Sequence, residues 1–162
     1  MKKLPAQQRL KTLFDYDPAT GRFIWRATRL DAGSRKHKHG APDRIDVTVD
    51  RKRYIASRII WKWMTGVDPA HTIDHIDCNP LNNTWSNLRE ATIQEQEFNR
   101  RVWNRSTGRK GVAPATNGTK RYRARIMYNR KSIFLGYFDT PQDAHAAYTA
   151  AAQRLHGPFH RP

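Results

Sequence analysis

The residues best suited to chemistry lie together, in the run Ile73-Asp74-His75-Ile76-Asp77-Cys78-Asn79-Pro80-Leu81-Asn82-Asn83-Thr84-Trp85-Ser86-Asn87-Leu88-Arg89-Glu90-Ala91-Thr92. Asp74 and His75 are adjacent at the end of a short apolar run. A neutral imidazole at the end of a strand takes a proton from water near neutral pH, which makes His75 the candidate general base. Asp74 offers a carboxylate oxygen to a hard cation such as magnesium, which accepts one or two protein carboxylates and keeps its other positions for water and phosphate oxygens. A lone histidine is more often a satisfied core residue, and a lone aspartate a strand-end charge. Their adjacency ahead of an Asn-rich loop favours the chemical reading.

Positioning such a pair requires elements on both sides. Asn79-Pro80 and Asn82-Asn83 are turn formers, and Asn87-Leu88 then opens a second apolar run before a helical stretch, so the expected order is strand, loop, strand, helix. Upstream, Leu10, Leu13 and Phe14 at helical spacing predict a short helix over 7–15, followed by a turn at Asp15–Gly21 and a strand over 22–26. Residues 28–43 carry the basic run Arg35-Lys36-His37-Lys38-His39 with almost nothing apolar, and read as a mobile basic loop whose histidines are solvated rather than ligands. Ile45, Val47 and Val49 alternate with polar residues, and Tyr54-Ile55-Ala56 resumes after Arg51-Lys52-Arg53, which predicts a β-hairpin with a basic turn. Ser57 is a candidate cap for a helix whose Ile59, Ile60, Trp61, Trp63 and Met64 are too apolar for a surface, and Gly66 ends it.

The whole chain is 162 residues with 30 Lys plus Arg against 14 Asp plus Glu, a formal charge of +16 and a pI near 10.7. That excess implies a polyanionic partner, nucleic acid first. At 38% hydrophobic residues the chain suits small modules better than one large core. With one cysteine, Cys78, it has neither an internal disulfide nor a Cys-based structural zinc site, which fits a reducing, cytosolic setting. There is no 18-residue apolar run and no signal-peptide pattern, so membrane association is not expected. From Phe98 to Phe138 no acidic residue occurs, whereas Arg100, Arg101, Arg105, Arg109, Lys110, Lys120, Arg121, Arg123, Arg125, Arg130 and Lys131 are basic and interleaved with Trp103, Tyr122 and Tyr128. Such one-signed charge points to phosphate contact. Arg121, Arg123 and Arg125 alternate with Tyr122, Ala124 and Ile126, giving one basic strand face.

The run from Ile73 to Thr92 resembles the HNH nuclease motif, and the lead-in through Phe14-Asp15-Tyr16-Asp17-Pro18 is similar to that of phage HNH homing endonucleases. The resemblance implies that Asn87 is the middle motif residue, tying down the loop and orienting His75. It also places a metal-ligating Asn in the following helix, where this chain has Gln96, with Glu95 or Glu97 nearby as alternatives for completing the site and Asn99 three residues later on the same helical face as support. Gln sets its amide oxygen one methylene further out than Asn, so magnesium, which demands bonds of about 2.0–2.1 Å, is held less well. Residues 109–159, with Lys110-Gly111-Val112, Ile133-Phe134-Leu135-Gly136-Tyr137-Phe138-Asp139-Thr140 and an Ala-rich helix ending in Leu155-His156-Gly157, resemble the APETALA/ethylene-response-factor DNA-binding domain. In that family a three-stranded sheet enters the major groove. Arg121, Arg123, Arg125, Arg130, Lys131 and Lys110 are the corresponding candidates here for DNA grip.

The expected architecture is α+β: an N-terminal helix and hairpin region over 1–70, a ββα-metal core over 71–103, a linker over 104–108, and over 109–162 a three-stranded antiparallel sheet packed on one helix. The expected function is that of a homing-type DNA endonuclease using one Mg2+ or Mn2+ ion, with Asp74 and Gln96 as ligands and His75 and Asn87 as catalytic residues. It would act as a monomer on double-stranded DNA without an obligate protein partner, in the cytoplasm, a host's if phage-encoded. The alternative is a sequence-specific DNA-binding protein whose HNH core is impaired.

Overall fold

The computed structural model describes residues 3–38, 41–99, 106–116 and 121–160; His39, Arg100, Arg101, Trp103, Arg105, Lys120 and the first two residues of the expected linker lie outside them. The fold is mixed α and β, with strand pairing that is antiparallel throughout the described sheets. It forms two compact units, residues 1–93 and 94–162.

In the first unit, α1 (Gln7–Leu13) buries Leu10 and ends two residues before the predicted Asp15, because Phe14 turns extended and pairs with Trp25. The two-stranded sheet of β1 (Phe14–Tyr16) and β2 (Phe23–Trp25) encloses the Asp17–Gly21 turn. The basic run is not a loop. It forms β3 (Ser34–Lys38), paired with β4 (Ala41–Val49), which pairs in turn with β5 (Lys52–Ile55). A ladder satisfies the backbone without apolar side chains, and Asp43 offsets the crowded charge by accepting from Arg35 and lying against His37. The predicted β4–β5 hairpin is present. Asp50 and Arg51 at its tip both have positive φ, +46° and +62°, the backbone that matches strand twist in a two-residue turn.

The inward residues of β4, Val47 and Val49, meet Ile59 and Ile60 of α2 (Ala56–Thr65) in a core that also holds Leu10 and Phe14. Ser57 does not cap α2. The helix begins one residue earlier behind Ile55, and Ser57 is buried in its first turn. Gly66 ends α2 as expected, in the left-handed conformation with φ +80°. The tryptophans pack rather than project: Trp63 donates from Nε1 to the Phe14 carbonyl, and the Trp61 and Trp85 rings lie 5.1 Å apart. Last in this unit come β6 (Thr72–His75) and β7 (Leu88–Ala91), whose Ile73 and Leu88 join the same core. The helix α3 (Ile93–Asn99) follows.

In the second unit, β8 (Val112–Pro114), β9 (Tyr122–Tyr128) and β10 (Lys131–Phe138) make a sheet in the order β10-β9-β8. The last helix, α4 (Pro141–His156), starts where the sequence placed it. Thr140 Oγ1 accepts from the Asp143 amide at 3.1 Å, and Pro141 takes the first position, where its missing N–H costs nothing. Ala144, Tyr148, Ala151 and Ala152 are buried against Val112, Ala124 and Ile126 in two small clusters. Phe98 of α3 stacks on His156 at 3.6 Å between centroids, and Lys110 Nζ donates to the Phe98 carbonyl.

The closest approach in this unit is at Gly111, with φ +73° and a virtual Cβ 2.0 Å from Cδ2 of Tyr148. A methyl group there collides with a buried ring and strains the backbone. Gly111→Ala is expected to destabilise the second unit by roughly 3 kcal/mol, the upper end for overpacking, measured by urea unfolding; a loss under about 0.5 kcal/mol, the range of an ordinary surface change, contradicts this packing.

Candidate active site

His75 is the last residue of β6, opposite Leu88 of β7, and the chain leaves it by a tight turn. The Cys78 amide donates to the His75 carbonyl at 2.9 Å, with Cys78 itself at φ +59°. The loop from Ile76 to Thr84 has few apolar side chains to bury, so polar groups hold it.

Asn87 is the main fastener. It is 8% exposed, its Oδ1 accepts from the Asp77 amide at 2.9 Å, and its Nδ2 donates to Asp77 Oδ1 at 2.9 Å and to the Asn82 carbonyl at 2.8 Å. Its own carbonyl accepts from the Ile76 amide.

Asp77 is the centre of that network, a position sequence reasoning passed over. Its carboxylate also accepts from Asn82 Nδ2 at 2.8 Å and from the Asn79 amide at 2.8 Å. Burial raises its pKa, but the hydrogen bonds from Asn82, Asn79 and Asn87 and the charge of His75 outweigh that, so the carboxyl titrates below its ordinary value.

Asn83 was read as a turn former, and it does more. It is 4% exposed, and its Oδ1 lies 3.1 Å from His75 Nε2. An amide oxygen only accepts, so in this arrangement Nε2 carries the proton and the imidazole lone pair falls on Nδ1. The signal in the sequence was its spacing, eight residues after His75, where a turn could fold it back.

Asp74 sits opposite Arg89 in the ladder, and Arg89 donates to its Oδ2 from Nε at 3.0 Å and Nη2 at 2.9 Å. Both side chains are well covered, Asp74 at 12% exposed, where a charge needs a partner. Arg89 was not singled out from sequence; its signal was a cation in the strand after the loop, in register with the acid. Among the described residues no three His, Cys, Asp or Glu side chains converge on one point. The donor chemistry nonetheless suits a hard cation, which takes carboxylate oxygens as ligands, and Arg89 holds this carboxylate by its Oδ2.

Gln96 is half-buried on α3, and Asn99 on the same helix is 4% exposed; both belong to the second unit. In that unit Arg121, Arg125, Arg130 and Lys131 are exposed, and Arg123 is half-buried. Arg125 is directly opposite Phe134, with its guanidinium 6.0 Å from that ring. Phe134 and Tyr137 are each 47% exposed, with centroids 4.9 Å apart. In the sequence these two aromatics stand out only as part of the motif, and their exposure side by side shows in the structure alone.

Residues 54–98 match the family model of the HNH endonucleases, which covers the end of β5, α2, β6, the loop, β7 and most of α3. Over 90 residues the chain is 37% identical to an uncharacterised HNH endonuclease of Acanthamoeba polyphaga mimivirus, an alignment that takes in 56% of this chain and 46% of that protein. The chain thus spans less than half the length of that curated relative. No solved structure matches it significantly.

The depressed Asp77 pKa gives the loop a pH dependence with a definite sign. A carboxyl whose folded pKa lies below its ordinary 3.8 contributes its full stabilisation above that value and loses it as pH falls through the lower folded value. Wild-type protein is therefore expected to be more stable than Asp77→Asn near pH 6, with the gap closing below about pH 4. Thermal melts of both proteins across pH 2–6 check this, and a gap that is flat with pH contradicts it.

Proposed function

We propose that the chain is a metal-dependent DNA endonuclease of homing type, built from an HNH core and a C-terminal sheet that grips duplex DNA. The observation that carries this reading is the Asp74–His75 pair at the end of β6, inside the stretch that matches the HNH endonucleases, with His75 Nε2 committed to Asn83. In this proposal His75 Nδ1 removes the proton from the water that attacks the phosphodiester. Asn87 and Asp77 hold the loop that carries Asn83, and Arg89 fixes the rotamer of Asp74. Asp74 holds Mg2+ or Mn2+ with Gln96 as second ligand, the latter assigned from the motif resemblance alone. When bound, the cation supplies charge neutralisation at the phosphate and at the departing oxygen, and the products carry 5′-phosphate and 3′-hydroxyl ends.

Grip is assigned to the C-terminal sheet, which resembles the APETALA/ethylene-response-factor domain. A sheet of this kind fits the roughly 12 Å major groove, and arginine paired to guanine is the commonest specific contact there. The proposed contacts are Arg121, Arg123, Arg125, Arg130 and Lys131, with the exposed Phe134 and Tyr137 of β10 beside them. Lys110 is the weakest of the candidates, since one of its donors serves the Phe98 carbonyl. Among the described residues no helix is long and apolar enough to cross a membrane. Duplex DNA in the cytoplasm, a host's if the protein is viral, is the proposed setting.

Two features favour a second reading, a DNA-binding protein with an impaired core: the guanidinium of Arg89 already neutralises Asp74, and Gln96 replaces the Asn that the motif expects. Supercoiled plasmid incubated with Mg2+ or Mn2+ separates the two. The nuclease reading expects nicked or linear product that His75→Ala reduces by roughly 10²–10⁴-fold, the usual range for a general base. Tight DNA binding with no metal-dependent cutting in either protein supports the second reading. Gln96→Asn is expected to raise the cutting rate if ligand reach limits it. For the sheet, Arg125→Ala is expected to lower the slope of log affinity against log salt by about one. An unchanged slope and affinity removes Arg125 from the contact set.

A further inference from the structure

The first strand and turn of the chain lie outside the stretch that matches the HNH endonucleases, yet they meet the loop beside His75 at three points. The Tyr16 hydroxyl donates to the Asn83 carbonyl at 2.7 Å in a buried contact. The Trp85 amide donates to the Pro18 carbonyl at 2.9 Å. Gly21, at φ +74°, lies so close that a Cβ there would stand 2.5 Å from the Thr84 amide nitrogen and 2.6 Å from the Asn83 carbonyl carbon. At Pro18 and Gly21 backbone thus bears directly on backbone at 83–85, and at Tyr16 a side-chain hydroxyl reaches the same segment.

The turn that makes this contact is itself stiff. Asp17 accepts from the Ala19 amide and the Thr20 hydroxyl, and its carbonyl accepts from the Gly21 amide. Its two ends are fixed in the β1–β2 ladder, where Tyr16 pairs with Phe23 and Phe14 with Trp25 over the buried core. Tyr16 remains a donor across the working range, because burial, helped by the charge of Asp17, pushes its phenol up to about 12.

We propose that Tyr16 and the Asp17–Gly21 turn are positioning elements for His75, acting through Asn83. The N-terminal brace fixes the Asn83 backbone, the Asn83 side chain then holds His75 Nε2, and the imidazole is thereby kept in the Nε2–H form with Nδ1 turned to its task. This rests on the nuclease reading for its consequence in catalysis, but its structural part stands without it. A motif of this size has too little core to hold an imidazole still, and here the stiffness comes from residues forty or more positions upstream.

The test uses the full chain in three forms: wild type, Tyr16→Phe and Asn83→Ala. Long-range proton–nitrogen NMR of the His75 ring, recorded where the ring is neutral, reads the tautomer directly. Wild type is expected to show Nε2–H; Asn83→Ala is expected to become a mixture, and Tyr16→Phe to move part of the way. In single-turnover cutting of supercoiled plasmid with Mg2+, Tyr16→Phe is expected to be slower by roughly tenfold or more with half-saturating DNA unchanged, as for a small misplacement of a reacting group. A thermal melt of each variant separates this from general unfolding. The same tautomer in all three proteins overturns the proposal, as does a Tyr16→Phe protein that cuts at the wild-type rate or loses only DNA affinity. If the tautomer responds and none of the three proteins cuts, the brace stands and the nuclease reading is what fails.

Discussion

Holding a polar loop still without a core under it is the constraint on which the rest of this structure depends. Between His75 and Leu88 the chain has little apolar surface to bury besides Trp85, so it is fixed chiefly by amide and carboxylate groups that satisfy one another. Asn87 succeeds there because one short side chain offers both an acceptor and a two-hydrogen donor at a fixed separation. It closes on the amide and the carboxylate of Asp77 together. Leucine would fill the space and satisfy none of these groups; aspartate would set a like charge against Asp77. The network also lowers the pKa of Asp77, which favours its anionic form beside the imidazole.

Rigidity at the site is borrowed from the surrounding unit. Ile73 and Leu88 anchor β6 and β7 in the core of Phe14, Ile59 and Ile60, while the glycine contact at residue 21 and the Tyr16 hydroxyl press on the loop from outside. Arg89 plays a double part. It neutralises a covered carboxylate that would otherwise be costly, and in doing so it competes with any cation for that carboxylate.

The elements set by periodicity were legible in the sequence. The β4–β5 hairpin showed in the alternation of Ile45, Val47 and Val49, α2 in its apolar face and Gly66, and α4 in Thr140-Pro141 and the alanine stripe. Where patterning is silent, the reading went astray. Residues 34–38 have no apolar alternation and the composition of a loop, yet backbone pairing, with Asp43 among the cations, makes them a strand. In the candidate site, types and spacing pointed to Asp74 and His75, and the motif resemblance to Asn87, but the partners were invisible. Asn83, Asp77, Arg89 and Tyr16 acquire their roles from how the chain folds back, and as single letters they look like turn formers, a strand charge and a core aromatic.

In the second unit a similar economy operates with charge instead of hydrogen bonds. The sheet buries Ala124 and Ile126 under α4 and turns Arg125 outward next to Phe134, so apolar and cationic surface alternate on the open face. Whether the first unit holds a cation at Asp74 is the question on which the enzymatic reading turns, and paramagnetic Mn2+ answers it most directly. Titrated into isotope-labelled protein on duplex DNA, Mn2+ should broaden the resonances of Asp74, His75 and Arg89 before any others at sub-stoichiometric ion. Broadening centred elsewhere, or none in β6 and its loop, would contradict a metal-dependent nuclease.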